Sequence, residues 1–307
     1  MSVAVDPHRA GFVGIVGRPN AGKSTLLNAL IGEKIAITAR QPQTTRTSIQ
    51  GVLTTPEAQI VFVDTPGMHA SDTLFNKRMM DNIRAALGGR DVVLFVADGV
   101  KPVTDDDAHA VSALRNAKAV LVVNKIDRVE DKRLLLPLIE RYIALFPFLE
   151  AVPVSARTGD GLDELTRVIQ KYLPEGPPLF PDDYLTDQPM RFLASEIIRE
   201  RILHATREEV PHAAAVVIER WEETPRVTKI EATIHVERHG QKTILIGARG
   251  EMLKKIGSEA RVQIERMLGA KVFLGLRVKV TPNWREDPAF LNAIDWHTMV
   301  GSEHTNR

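Results

Sequence analysis

The nine residues Gly17-Arg18-Pro19-Asn20-Ala21-Gly22-Lys23-Ser24-Thr25 constrain this chain more than any other stretch. They follow the apolar run Gly11-Phe12-Val13-Gly14-Ile15-Val16 and precede Leu26-Leu27-Asn28-Ala29-Leu30, an order that reads as strand, phosphate loop and helix. Glycines in such a loop let backbone N–H groups curl round a polyphosphate at a helix N-terminus. Lys23 then reaches the β- and γ-phosphates, and the Ser24 hydroxyl can ligate Mg²⁺. An ordinary glycine turn has no need of the lysine, the hydroxyl or the flanking strand and helix.

Residues 34 to 46, with Pro42 and many polar side chains, show no sustained periodicity and read as a loop. Next to a phosphate loop, such a segment must bring a hydroxyl to Mg²⁺ and an N–H to the γ-phosphate, so that loss of the phosphate releases it. Thr44 and Thr45 are the candidates, Thr45 preferred. Strands are expected at 47 to 54 and 58 to 63. Asp64-Thr65-Pro66-Gly67 follows the second strand directly, a D-x-x-G element whose carboxylate holds Mg²⁺ through water and whose Gly67 N–H senses the γ-phosphate. At the next position small GTPases of the Ras type carry a glutamine that orients the attacking water. Met68 stands there, a side chain without a donor, which predicts slow intrinsic turnover.

Helix-like spacing marks residues 74 to 87. Asp91 to Ala97 is a near-continuous apolar strand, as a sheet buried on both faces requires. A helix is expected from 104 to 115, with Asp105, Asp106 and Asp107 in its first turn as capping carboxylates and not a metal cluster. Ala119 to Val123 is another buried strand, and Asn124-Lys125-Ile126-Asp127 ends it. The Asp127 carboxylate can accept from guanine N1–H and N2–H₂, whereas adenine lacks that donor pair and would leave a desolvated charge unpaired. Asn124 and Lys125 are expected to tie this turn to the phosphate loop. After an amphipathic stretch at 131 to 145 and a short strand near 150 to 154, the Ser155-Ala156 turn could offer an N–H to guanine O6. A closing helix runs from 161 to 173. Strands alternating with helices give a mostly parallel sheet with helices on both faces and a site at the strand C-termini.

Residues 174 to 183 hold four prolines within eight positions, which predicts a semi-rigid spacer between two domains. Beyond it come an amphipathic helix at 190 to 203, strands at 213 to 221 and 227 to 238, a short helix near 242 to 246, a longer helix ending at Leu268 and a strand at 270 to 281. Between those last two helices stands Gly247-Ala248-Arg249-Gly250, with Lys254 and Lys255 one turn on. A tight G-x-x-G loop lets nucleic-acid phosphates approach unshielded backbone. Between residues 191 and 285 there are 18 Lys and Arg against 12 Asp and Glu, although the whole chain carries only +1. The positive charge therefore sits on this half. Few aromatics argue for an apolar groove with backbone clamping over a base-stacking platform. His235 and His239 do not form H-E-x-x-H, so no metal is expected there. The 307 residues contain no cysteine, which excludes disulfides and thiolate metal sites. No secretory leader or long apolar run is visible, and a cytoplasmic protein is expected.

In their order, Gly17 to Ser24, Thr44-Thr45, Asp64 to Gly67, Asn124 to Asp127 and Ser155-Ala156 resemble the translation-factor-type GTPases. The forms GRPNAGKST and PQTTR look most like the Era family. The α-β-β-α-α-β order with its G-x-x-G loop resembles a type II KH domain, and one GTPase domain joined to one C-terminal KH domain is the Era arrangement. The resemblance implies a Ras-like GTPase domain at 1–173, a linker at 174–188, an α+β KH domain at 189–285 and a tail at 286–307. For function it implies GTP and GDP as ligands and binding of the 3′ end of 16S ribosomal RNA, with no DNA partner. It also implies a role in 30S subunit assembly and peripheral contact with the inner face of the cell membrane. It makes Met68 a family trait, and it assigns the Asn20 side chain to a K⁺ ion standing in for an arginine finger. A tRNA-modifying GTPase is disfavoured, because that family ends in a cysteine motif. An RNA-binding chaperone with a mainly structural nucleotide stays open as the alternative.

Overall fold

The computed structural model describes residues 7–39, 44, 48–64, 89–115 and 117–294. The expected helix at 74–87 and the candidates Thr45, Thr65, Pro66, Gly67 and Met68 lie outside those residues. The chain divides into two compact units, the second beginning at Gln188.

In the first unit, strands β1 (Arg9–Gly17), β2 (Ile49–Thr54), β3 (Ala58–Asp64), β4 (Val92–Asp98), β5 (Ala119–Asn124) and β6 (Ala151–Pro153) form one sheet in the order β2-β3-β1-β4-β5-β6. The β2–β3 pair is antiparallel; β1 runs parallel to both β3 and β4, and β5 lies parallel between β4 and β6. Helices α1 (Lys23–Ile31), α2 (Asp105–Ser112), α3 (Leu135–Leu145) and α4 (Leu162–Tyr172) accompany it. Two apolar clusters sandwich the strands, one holding Ile15, Leu26 and Leu165, the other Phe95, Leu121 and Tyr142. Burial on both faces is why β3, β4 and β5 read as unbroken apolar runs and not as alternating ones. The parallel order brings Gly17, Asp64, Asp98 and Asn124 to one edge, the C-terminal ends of four neighbouring strands.

The stretch from Pro174 to Asp187 groups with this unit and is hydrogen-bonded along it. Ala10 N–H donates to Pro174 O at 3.1 Å and Gly176 N–H to His8 O at 3.0 Å. The fully buried Gln59 clamps the middle: its Oε1 accepts from Leu179 N at 2.6 Å and Phe180 N at 2.8 Å, and its Nε2 donates to Phe180 O at 2.9 Å. Further on, Val52 N–H donates to Leu185 O at 2.9 Å and Thr186 Oγ1 to Gln50 O at 2.6 Å, both on the outer edge of β2.

The second unit contains α5 (Met190–Ala205), α6 (Val210–Ala213), β7 (Ala215–Glu223), β8 (Thr228–Val236), α7 (His239–Ile246), α8 (Glu251–Leu268), β9 (Val272–Val280) and α9 (Pro288–Ile294). Strand β8 is central, antiparallel to β7 and parallel to β9. Ile198, Ile230, Ile234, Ile256 and Ala260 lie at the heart of its core. Helix α6, a four-residue turn with Pro211 near its start, is too short to show a period in the sequence.

Candidate nucleotide site and nucleic-acid groove

The loop between β1 and α1 is held by contacts that only glycine permits at its second glycine. Gly22 has φ +100°, and a Cβ there would stand 2.3 Å from Asn124 Nδ2. Lys23 opens α1, so its side chain starts at the positive end of the helix dipole. It is 6% exposed, and its Nζ donates to Gly17 O at 3.2 Å and Arg18 O at 3.1 Å. Burial pushes this ammonium below the usual lysine range, while Asp64 beside it works the other way. Ser24 Oγ donates to Asp64 Oδ2 at 2.7 Å, and Asp64 is fully buried. Pro19 and Thr25 are half-buried and Asn20 is exposed with φ +63°. Arg18 turns its guanidinium away from the loop toward Thr104 and Asp107.

Asn124 joins three segments. Its Nδ2 donates to Ala21 O at 3.0 Å, and its Oδ1 accepts from Lys125 N at 2.7 Å and Ala156 N at 3.0 Å. Lys125 has φ +69°, and its Nζ donates to Asn20 O and to Asp98 Oδ2, the latter at 2.7 Å. Both expected ties to the phosphate loop are therefore present. Asp127 Oδ1 accepts from Ser155 Oγ at 2.8 Å, which fixes the plane of its carboxylate. At the Ser155-Ala156 turn, Ser155 N–H donates to Asp160 O at 2.8 Å and Ala156 N–H to Asn124 Oδ1 at 3.0 Å. Ser155 also contributes its hydroxyl, which orients Asp127. Asp98 and Tyr142, which hold Lys125 and Asp107 respectively, carried no motif that would have singled them out. Asp107 does complete the capping box of α2 with Thr104, as the acidic first turn predicted.

In the second unit the loop from Gly247 to Gly250 links α7 to α8. Gly247 has φ +72°, and a Cβ on it would strike Met252 Cβ at 2.7 Å. Arg249 sits exposed at the tip with φ +52°, and Lys254 and Lys255 are exposed on the first turns of α8. Beside the loop lies a groove of about 370 Å³. Leu253, Leu274 and Leu276 give it an apolar lining, Gly257 leaves its wall low, and Lys254, Ser258 and Arg261 supply polar groups. Such a groove holds unstacked bases while the loop meets their phosphates. His235 is buried, with Nδ1 2.8 Å from Thr281 Oγ1 and its ring edge-on to Phe290. No described helix is long and apolar enough to cross a membrane.

Residues 12–125 match the family described as 50S ribosome-binding GTPase, and residues 209–285 match the KH domain family. The chain is 48% identical over 295 residues to GTPase Era of Geobacter metallireducens, covering 95% of this chain and 99% of that one. It is 45% identical over 294 residues to GTPase Era of Lactobacillus delbrueckii subsp. bulgaricus, covering 94% and 96%. A variant of Aquifex aeolicus Era bound to GDP and AlF₄⁻ has a TM-score of 0.91 with this chain at 41% identity, covering 94% of this chain and 99% of its own. The structure of Era with MgGDPNP and nucleotides 1506–1542 of 16S ribosomal RNA gives the same figures. The site geometry and these matches together make the chain a member of the Era family of GTPases, a Ras-like GTPase domain followed by a KH domain.

Proposed function

We propose that the chain is a GTP-driven switch whose KH domain binds the 3′ end of 16S ribosomal RNA and thereby serves assembly of the 30S subunit. The observation that carries this reading is the presence in one chain of the Ser24–Asp64 pair beneath a phosphate loop and of a basic-rimmed apolar groove beside a G-x-x-G loop. The relative solved with a 16S ribosomal RNA fragment supports the choice of RNA.

The chain's own residues supply the chemistry of binding. Lys23 Nζ exchanges two loop carbonyls for β- and γ-phosphate oxygens, which restore the charge that burial disfavours. Asp127, held by Ser155, accepts from guanine N1–H and N2–H₂ and rejects adenine. Gly17 to Thr25 wrap the phosphates, and Asn124 and Lys125 keep the wrap and the base turn in register. A serine hydroxyl and a carboxylate in contact are hard oxygen donors that fit Mg²⁺. Ser24 would hold the ion directly and Asp64 through water, with Thr45 from the loop before β2. When bound, Mg²⁺ neutralises charge between the β- and γ-phosphates. Thr65, Pro66 and Gly67 belong to the segment that senses the γ-phosphate. Asn20, at the loop's exposed crest, is assigned to K⁺, and replacing K⁺ by Na⁺ should then lower kcat.

Gly247, Ala248, Arg249 and Gly250 clamp the RNA backbone, with Lys254 and Lys255 on its phosphates. The test is RNA affinity for a fragment of the 16S 3′ end with GDP and with a non-hydrolysable GTP analogue bound. A switch gives different affinities; equal ones leave an RNA chaperone with a structural nucleotide. Replacing Ala248 and Arg249 by Asp should abolish RNA binding and spare GTP affinity. Peripheral membrane contact, which the family resemblance adds, is tested by cosedimentation with anionic vesicles.

A further inference from the structure

Arg18 is the second residue of the phosphate loop, yet its guanidinium is directed to residues outside that loop. Its Nη1 donates to Thr104 Oγ1 and to Asp107 Oδ2, each at 2.8 Å, and Nη2 reaches the exposed Asp106 only at 3.4 Å. Asp107 is 2% exposed and takes three further donors: Thr104 N and Thr104 Oγ1 on Oδ2, and Tyr142 Oη on Oδ1, all at 2.9 Å. Capping α2 needs only the pair with Thr104. The remaining two bonds join Arg18 of the loop to Tyr142 of α3 through one buried carboxylate.

The main chain of Arg18 is engaged as well, because its carbonyl is one of the two that accept from Lys23 Nζ. Two residues on, Asn20 O takes the ammonium of Lys125, which Asp98 holds at 2.7 Å. The segment from Arg18 to Asn20 is thus pinned from outside by two ion pairs, Arg18–Asp107 and Lys125–Asp98. The second belongs to the guanine-selecting turn; the first joins the phosphate loop to the cap of α2, a link neither motif requires. A phosphate cradle made of backbone amides works only if the amides are already converged, since ordering them on binding is subtracted from affinity.

We propose that Asp107 is a positioning residue of the nucleotide site, acting through Arg18 to hold the phosphate loop in its receiving curl, with Tyr142 fixing the carboxylate from the other side. This rests on the nucleotide reading of the loop. The pair is charged and mostly shielded, so its loss should cost about tenfold in guanine nucleotide affinity.

The test measures GDP and GTP dissociation rates, KM, kcat and thermal midpoint per active site for Arg18→Met, Asp107→Asn, their double variant, Tyr142→Phe and Arg18→Lys. Positioning predicts that Arg18→Met and Asp107→Asn each raise KM and the dissociation rates about tenfold, with a smaller change in kcat. The double variant should be no worse than either single one, Arg18→Lys should recover part of the loss, and Tyr142→Phe should show a weaker form of it. A purely structural role would lower the midpoint and the active fraction while leaving KM per active site unchanged. That result overturns the proposal. So does a double variant whose loss is the product of the single losses, or an effect at Arg18 without one at Asp107. An unaltered chain that binds no guanine nucleotide would overturn the underlying reading of the loop as well.

Discussion

Replacing Asn124 by aspartate changes one atom at the point where three segments of the nucleotide site meet. The Oδ1 acceptor for Lys125 N–H and Ala156 N–H is kept, but the Nδ2 donor becomes an oxygen 3.0 Å from the carbonyl of Ala21. The side chain is 2% exposed, so water cannot repair the clash. Loss of the hydrogen bond costs about 1 kcal/mol, and a buried carboxylate oxygen facing another acceptor adds about 2 kcal/mol more. A total of about 3 kcal/mol corresponds to a fall in guanine nucleotide affinity of about two orders of magnitude at pH 7.5. The deficit should depend on pH. Burial raises the pKa of the new carboxyl, and its protonated form can again donate to Ala21 O. The loss is therefore complete above that raised pKa and shrinks as pH falls through it. Dissociation of a fluorescent GDP analogue, followed from pH 8 to pH 5 against the unaltered chain at each pH, reads this directly. A loss below threefold at pH 7.5, or one as large at pH 5 as at pH 8, would refute the role given to the Asn124–Ala21 bond.

Asp127→Asn exchanges a double acceptor for one acceptor and one donor, which suits xanthine, where a carbonyl replaces the guanine amino group. GTP affinity should fall by about 10²-fold and xanthosine triphosphate should outcompete it in a displacement assay. Gly257→Leu fills the groove proposed for RNA from its wall, where even a Cβ would already stand 3.3 Å from Leu276 Cδ1. RNA affinity should drop at least about tenfold with kcat for GTP unchanged, as filter binding and phosphate release will report. Burial, with help from Lys279, holds the His235 imidazole below the ordinary 6.5, and Glu219 opposes them. The unfolded chain then takes up the proton first as pH falls, so this residue's contribution to stability is present above about pH 6.5 and lost below it. Thermal melts from pH 7.5 to 5.5 should show that decline, and His235→Phe should remove part of it.

The parallel-sheet unit was legible because its signals are local. Gly17 to Thr25, Asp64 and Asn124 to Asp127 each stand at the end of an apolar run, and chain order alone brings those ends to one edge. The KH unit was legible for the same reason, from Gly247 and Gly250 between two helical periods. What stayed hidden depends on where side chains point across long stretches of chain. Arg18 and Asp107 are separated by 89 residues, and nothing in the spacing of either shows that an arginine inside the phosphate loop would leave the loop. The hydroxyl of Ser155 is a second case: its turn is marked by sequence, but its bond to Asp127, 28 residues away, is not. Gln59 stands near the start of the apolar run of β3 and reads as an ordinary polar residue, although its partners Leu179 and Phe180 lie about 120 positions on.

That clamp bears on how this chain can be shortened. A truncation at Leu173 follows the end of the last helix of the nucleotide unit, but it strips Leu185 and Thr186 from the outer rim of β2 and leaves the buried amide of Gln59 facing solvent. An uncovered rim of this kind recruits strands from other molecules. A fragment ending at Leu173 should therefore aggregate, whereas one ending at Asp187 keeps its own selvedge and should remain monodisperse.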